Sequence, residues 1–389
     1  LATDVAIKPA ERMALLGFSD IVKIRNRVLA MTAAGTRVLR LEGGEPFMPT
    51  PPFIKQAMKD ALDAGETRYA PSSGIPPLLE AIRTKLAERN GLAVAADQII
   101  VTSGGAHGLF CAFQVSVDPG TDVMFFSPYW TPIKDQVRYC GGEPVLVPGA
   151  EARGLSDLRE LLESKFTERT RVIYVNSPAN PTGDVFTREQ LASIAAFAVD
   201  HNLVVIADEA YEDLVYDGEH VSIASLPGMF ERTITVYTLS KSYAMTGWRV
   251  GYLVAPETFM APLRKLVLNS INGVSTPSQF AAVAAVNDRS GYRADNRAQY
   301  LQRRDLLVSA FAEAGFDCPA PPGAFYLFPN VRARLGNDSW KAMETLLDRT
   351  SIASVPGIVF GPEGEGHLRM SFSTSMETLE ACVQALRKL

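Results

Sequence analysis

Short runs rich in β-branched residues recur along the chain, at 99–102, 122–126, 171–175, 203–207, 233–238 and 250–254, with helix-patterned stretches between them. Strands that follow one another through helices have to be joined by long crossovers, so this pattern dictates a mostly parallel sheet with helices on both faces. Stretches 109–117 and 188–199 carry the amphipathic pattern, and Thr187 stands where an N-cap would open the second. The expected α/β domain covers 50–285. Beyond 286 the pattern changes to a long helix at 296–314, a proline-rich elbow at 318–323, a strand at 324–328 and helices at 339–349 and 376–386. That is the signature of a smaller α+β domain over 286–389. The first 49 residues contain a helical stretch, 21–34, with no sheet of its own, expected to pack on the small domain or on a partner subunit.

Composition removes several classes of function. The 389 residues are 47% hydrophobic and 21% charged, with a net charge of −5 and no long run of one sign, which argues against nucleic acid or an anionic membrane as partner. No run approaches the ~18 consecutive apolar residues of a membrane span. Residues 1–10 lack the basic-then-apolar layout of a secretory leader, so the expected location is cytoplasmic. Cys111, Cys140, Cys318 and Cys382 form no C-x-x-C pair and only four histidines are present. Buried free thiols are expected, with no metal site.

Four segments carry chemistry. Thr102-Ser103-Gly104-Gly105-Ala106-His107-Gly108 lies between a strand and a helix, where free N–H groups and a helix dipole can hold a phosphate; an ordinary glycine-rich turn has the same composition. Asn176-Ser177-Pro178-Ala179-Asn180-Pro181-Thr182-Gly183 is a strand end stiffened by two prolines, which fixes where Asn180 points. Asp208, at the end of an apolar strand and followed by Glu209-Ala210-Tyr211, is either a helix cap or a half-buried carboxylate in need of a cationic partner. Lys241 follows another apolar strand among small neutral residues, an environment that lowers an amine's pKa and prepares it to attack a carbonyl. Thr238 precedes it and Arg249 follows, both suited to an anion.

Together with Leu41-Glu42-Gly43-Gly44-Glu45-Pro46, Arg68-Tyr69, Ser127-Pro128-Tyr129-Trp130 and Leu368-Arg369-Met370-Ser371, these segments resemble the class I aminotransferases, pyridoxal 5′-phosphate (PLP) enzymes of fold type I. The resemblance spans nearly the whole chain and implies transfer of an amino group from an L-amino acid to a 2-oxo acid, with a pyridoxamine phosphate form of the cofactor between the two halves. It implies that Lys241 forms a Schiff base with the cofactor and then moves the proton. Asp208 pairs with the pyridine nitrogen, Asn180 and Tyr211 meet the ring 3′ oxygen, and Trp130, or Tyr129 beside it, stacks on the ring. The phosphate falls to the N–H groups of Gly105 and Ala106, to Thr238, Ser240 and Arg249, and to Tyr69 of a neighbouring subunit in a homodimer. Arg369, Gly44 and Asn180 bind the substrate, Arg369 as a fork on its α-carboxylate.

One position departs from the pattern of aspartate-using relatives. Several of them carry a lysine directly after the paired glycines, where this chain has Ala106. His107, Arg25 or Arg27 could meet a second carboxylate instead, while Phe18, Ile21 and Phe47 would suit an apolar donor. The same scaffold also supports C–S β-lyase chemistry, or a ligand-binding regulator that needs a DNA-binding module.

Overall fold

The computed structural model describes residues 7–18 and 20–389. Its centre is a seven-stranded sheet of β1 (Ile99–Thr102), β2 (Asp122–Ser127), β3 (Glu143–Pro148), β4 (Thr170–Asn176), β5 (Val204–Asp208), β6 (Thr233–Thr238) and β7 (Gly251–Val254). The strands lie in the order β1-β7-β6-β5-β4-β2-β3. Strands β2 to β6 are parallel, and β7 runs antiparallel to both its neighbours. The connection fits the reversal: residues 239–250 between β6 and β7 hold one four-residue helix and a three-residue 3-10 turn, and no helix long enough to run back along the sheet for a parallel return. Strand β3 escaped the sequence pattern because its residues, Glu143-Pro144-Val145-Leu146-Val147-Pro148, mix prolines into the apolar run at the sheet edge.

Helices cover both faces of the sheet. Gly104–Ser116 packs on β6 and β7, and its Gly108 lies so close to β6 that a Cβ there would meet Val236 at 2.8 Å. Arg188–Asp200 opens with a capping box in which the Thr187 hydroxyl accepts the Gln190 N–H and the Gln190 side chain accepts the Thr187 N–H.

The remaining strands are short. Val355–Pro356, Leu368–Ser371 and Tyr326–Leu327 make an antiparallel sheet, and Leu39–Arg40 pairs in parallel with Ile352–Ala353. The proposed strand at 324–328 shrinks to two residues. Helix Asp20–Ala33 places Ile24 and Val28 against Leu347, Ala353, Val355 and Phe360, so the N-terminal segment is seated on this C-terminal layer. A second apolar cluster, containing Leu41, Phe325, Tyr326 and Phe372, extends to Tyr211 and Leu214 from the loop after β5. Each fully buried aliphatic or aromatic side chain there contributes roughly 1.5–3 kcal/mol of transfer free energy, so the loop bearing Tyr211 is held from the small-layer side.

Gly251 starts β7 where an added Cβ would stand 2.7 Å from the Tyr237 carbonyl oxygen and 2.9 Å from the Gly105 nitrogen. These are backbone atoms and cannot swing aside. Gly251→Ala is expected to lower stability by about 1–3 kcal/mol in urea unfolding of the cofactor-free chain, whereas an unchanged midpoint would show that this junction is loosely packed.

Candidate active site

The parallel strands deliver their C-terminal ends to one edge of the sheet, and the chemistry gathers there. Asp208 ends β5 and is buried. Its Oδ2 accepts the Tyr174 hydroxyl at 2.8 Å and its Oδ1 accepts the Ala210 N–H at 3.2 Å. No Lys, Arg or His among the described residues forms an ion pair with it, and burial pushes its pKa up to about 6. The neighbouring Glu209 faces elsewhere, toward His220 at 3.0 Å, within a network where the Lys85 ammonium is held by Glu212.

Asn180 is fixed at the end of β4. Its N–H donates to the Asn176 side chain at 3.0 Å, and Asn176 in turn donates to the Asp208 carbonyl at 3.1 Å. Its side-chain oxygen accepts from Arg369 at 3.3 Å, which leaves its NH₂ as the free donor. The Tyr211 hydroxyl lies 2.8 Å from that of Tyr326. Tyr326 was not singled out in the sequence; its ring also lies under the Arg369 guanidinium, 4.7 Å from the centroid.

Lys241 sits in the short helix Leu239–Ser242 directly after β6. Its amine donates to the Gly44 carbonyl at 2.7 Å and forms no ion pair among the described residues. Burial lowers its pKa to about 8; the nearby Arg369 and Arg249 charges act in the same direction, against the opposing charges of Glu45 and Asp208. Two residues before Gly44, the Glu42 carbonyl accepts from Arg369 at 2.8 Å. The segment Glu42-Gly43-Gly44 thus spans both cationic groups. Arg369 is buried, forms no ion pair among the described residues and keeps its Nε without a partner. Of its five N–H groups only two are engaged within the chain.

Arg249 lies against the start of helix Gly104–Ser116. Its guanidinium donates to the Ser103 and Thr246 carbonyls, and a Cβ on Gly104 would be 2.5 Å from its Nη2. Gly104 has φ +76°, so the position calls for glycine twice over. No side chain caps this helix, which leaves the first-turn N–H groups of Gly105 and Ala106 open. Gly105 abuts Thr238, whose hydroxyl donates to Ser240 at 2.9 Å. Guanidinium, uncapped helix and two hydroxyls form a cup for a phosphate.

Tyr129 packs edge-on against Phe125 at 4.9 Å and is buried, whereas Trp130 beside it is half-buried. Tyr69 is 93% exposed. His107 turns back to accept the Ser103 N–H, and Arg27 pairs with Glu344 on the surface. Neither faces a second carboxylate site.

The residues fit PLP by charge. A buried carboxylate without a cation suits a pyridinium nitrogen, and the anion cup suits a phosphate. The comparisons with known proteins agree. A family model described as aminotransferase class I and II matches residues 36–386. The chain belongs to the class I and II aminotransferases. It is 38% identical to an aspartate aminotransferase of Pyrococcus abyssi (98% of this chain, 97% of that one). It is 36% identical to an aspartate/prephenate aminotransferase of Thermus thermophilus (95% and 96%). The solved aspartate aminotransferase from Thermus thermophilus with maleate superposes with a TM-score of 0.93 at 36% identity, covering 98% of this chain and 100% of that one. An aromatic aminotransferase from Pyrococcus horikoshii gives 0.87 at 38%, covering 93% and 97%.

The protein is therefore a PLP-dependent aminotransferase of fold type I, and the lyase and regulator readings are not favoured. No helix among the described residues is long and apolar enough to cross a membrane.

A lowered ammonium pKa means that the reactive neutral amine predominates above pH ~8 instead of only above the usual lysine range. The rate at which the cofactor-free protein takes up PLP, followed by the growth of its visible band, should rise with pH around a midpoint near 8. A rise centred near the ordinary lysine value would contradict the environment described for Lys241.

Proposed function

We propose that the uncompensated charges of the site assign its roles. Among the described residues, buried Arg369 and Asp208 and the exposed Arg249 form no ion pair, and each matches one charged part of the reactants. Leaving a buried charge unpaired costs several kcal/mol, so a site that keeps two of them is arranged for ligands. Arg369 takes the α-carboxylate of amino or 2-oxo acid substrate, with the N–H of Gly44 and the NH₂ of Asn180 beside it. Asp208 faces the pyridine nitrogen. Asn180 and Tyr211 donate to the ring 3′ oxygen, and Trp130 covers the ring face, since Tyr129 is committed to packing. Gly105, Ala106, Thr238, Ser240 and Arg249 hold the phosphate.

When bound, PLP supplies the electron sink that stabilises negative charge at the substrate Cα. The chain supplies binding, orientation and proton movement. Lys241 would hold the cofactor, and its neutral amine, once free, would act as the base that takes and carries the substrate Cα proton. The Gly44 carbonyl, 2.7 Å from Nζ, steers this amine.

The donor is an amino acid with an apolar side chain, aliphatic or aromatic. Ala106 brings no charge to the position after the paired glycines, His107 and Arg27 are turned to other partners, and Arg25 is exposed on the helix Asp20–Ala33. The exposed Tyr69, Phe18 and Ile7 support a homodimer in which Tyr69 reaches the neighbouring phosphate, and the modest net charge and absence of a membrane-spanning helix among the described residues support a cytoplasmic location.

A panel of amino donors with 2-oxoglutarate as acceptor should yield the donor's 2-oxo acid without ammonia, fastest for apolar donors. Ala106→Lys should raise kcat/KM for aspartate relative to those donors by about 10-fold, as expected for a new charge-assisted contact. Stoichiometric pyruvate and ammonia, or aspartate as best substrate of the unmodified chain, would refute the donor assignment. For the dimer, Tyr69→Phe should weaken PLP retention several-fold, and sedimentation at micromolar concentration should give twice the chain mass; a monomer that retains full activity would refute it.

A further inference from the structure

Tyr174 occupies the middle of β4, pairs with Phe125 of β2 on one side and Ile206 of β5 on the other, and is fully buried. Asp208 lies two residues beyond Ile206, so the two side chains are diagonal neighbours on one face of the sheet. That geometry carries the 2.8 Å hydrogen bond from the phenol to Oδ2. The ring has little freedom: Phe125 meets it edge-on at 6.5 Å and Phe113 lies at 5.9 Å. A buried phenol needs a polar partner, and this one has a carboxylate without a cation.

We propose that Tyr174 is a positioning residue for Asp208, fixing the carboxylate's orientation and keeping it a weak base so that the proton shared with the cofactor's ring nitrogen stays on the nitrogen. The inference rests on the PLP reading of the site and adds a residue to it. Two donors arrive from fixed directions, Tyr174 on Oδ2 and the Ala210 N–H on Oδ1, and they determine which lone pair remains for the ring. A donated hydrogen bond stabilises the anion over the acid. Without it, burial alone drives Asp208 toward taking a proton for itself, since burial is the largest influence raising its pKa. The ring would then hold less positive charge and withdraw electrons less strongly.

The test compares the PLP-loaded enzyme with its Tyr174→Phe variant, which keeps the ring packing and deletes one oxygen. The ¹⁵N resonance of ring-labelled PLP should move from the pyridinium position toward the neutral one. In the same variant kcat should fall by about 10-fold, the scale on which lost outer partners act. KM for the amino donor should stay within about twofold and the urea midpoint should hardly change. An unmoved ¹⁵N resonance together with unchanged kcat overturns the proposal. A second measurement avoids the variant's folding altogether. With 3-fluorotyrosine at position 174 of the otherwise native chain, the ¹⁹F resonance should shift when PLP is added; an unmoved signal also overturns the proposal. Failure of the PLP reading itself looks different, because the unmodified protein would then develop no visible band with PLP.

Discussion

The site depends on an amine denied a salt bridge. Lys241 donates to the Gly44 carbonyl, a neutral acceptor, and is buried, with Arg369 and Arg249 opposing its charge while Glu45 and Asp208 favour it without forming an ion pair. An amine so placed is held ready to lose its proton, whereas a carboxylate at the same distance would have locked it as ammonium. The arrangement requires that residues 42–44, far from Lys241 in sequence, be brought to the end of β6. The pairing of Leu39–Arg40 with Ile352–Ala353 and the bond from the Ser371 N–H to the Leu41 carbonyl at 2.7 Å do this. The sheet of the small layer thus sets the geometry of a lysine belonging to the large one.

The same logic extends to the other charges. Folding normally hides a charge only with its partner, yet Asp208 and Arg369 are buried without an ion pair among the described residues. Each is instead tied by neutral groups: Asp208 by a phenol and an amide, Arg369 by a carbonyl and an amide oxygen. Neutral ties fix direction while leaving the charge available. The structure therefore keeps a pattern of unmatched charge whose complement is an anionic cofactor with a cationic ring nitrogen and a substrate with a carboxylate.

Much of this was legible in the sequence, for physical reasons. Apolar runs ending in Asp208, Asn176 and Thr238 announced strand termini because parallel strands are buried on both faces and polar residues mark where they surface. The Thr187 cap and the glycines before helix Gly104–Ser116 were readable because caps and positive-φ turns admit few residue types. The antiparallel course of β7 was not, since strand composition does not encode strand direction. The tyrosines at 174 and 326 were also missed. Each looks like a core aromatic in sequence, and only the register across β4 and β5, or the approach of Gly44, reveals what its hydroxyl touches. A phenol inside an apolar run, Val172 to Val175, was the available signal, because such a group must find a partner.

The most direct test is chemical trapping. Borohydride reduction of the PLP-loaded protein, followed by proteolysis and mass spectrometry, should place the phosphopyridoxyl group on Lys241 and on no other lysine. A label at another lysine, or none at all on protein that shows the visible band, would contradict the central role given to this amine.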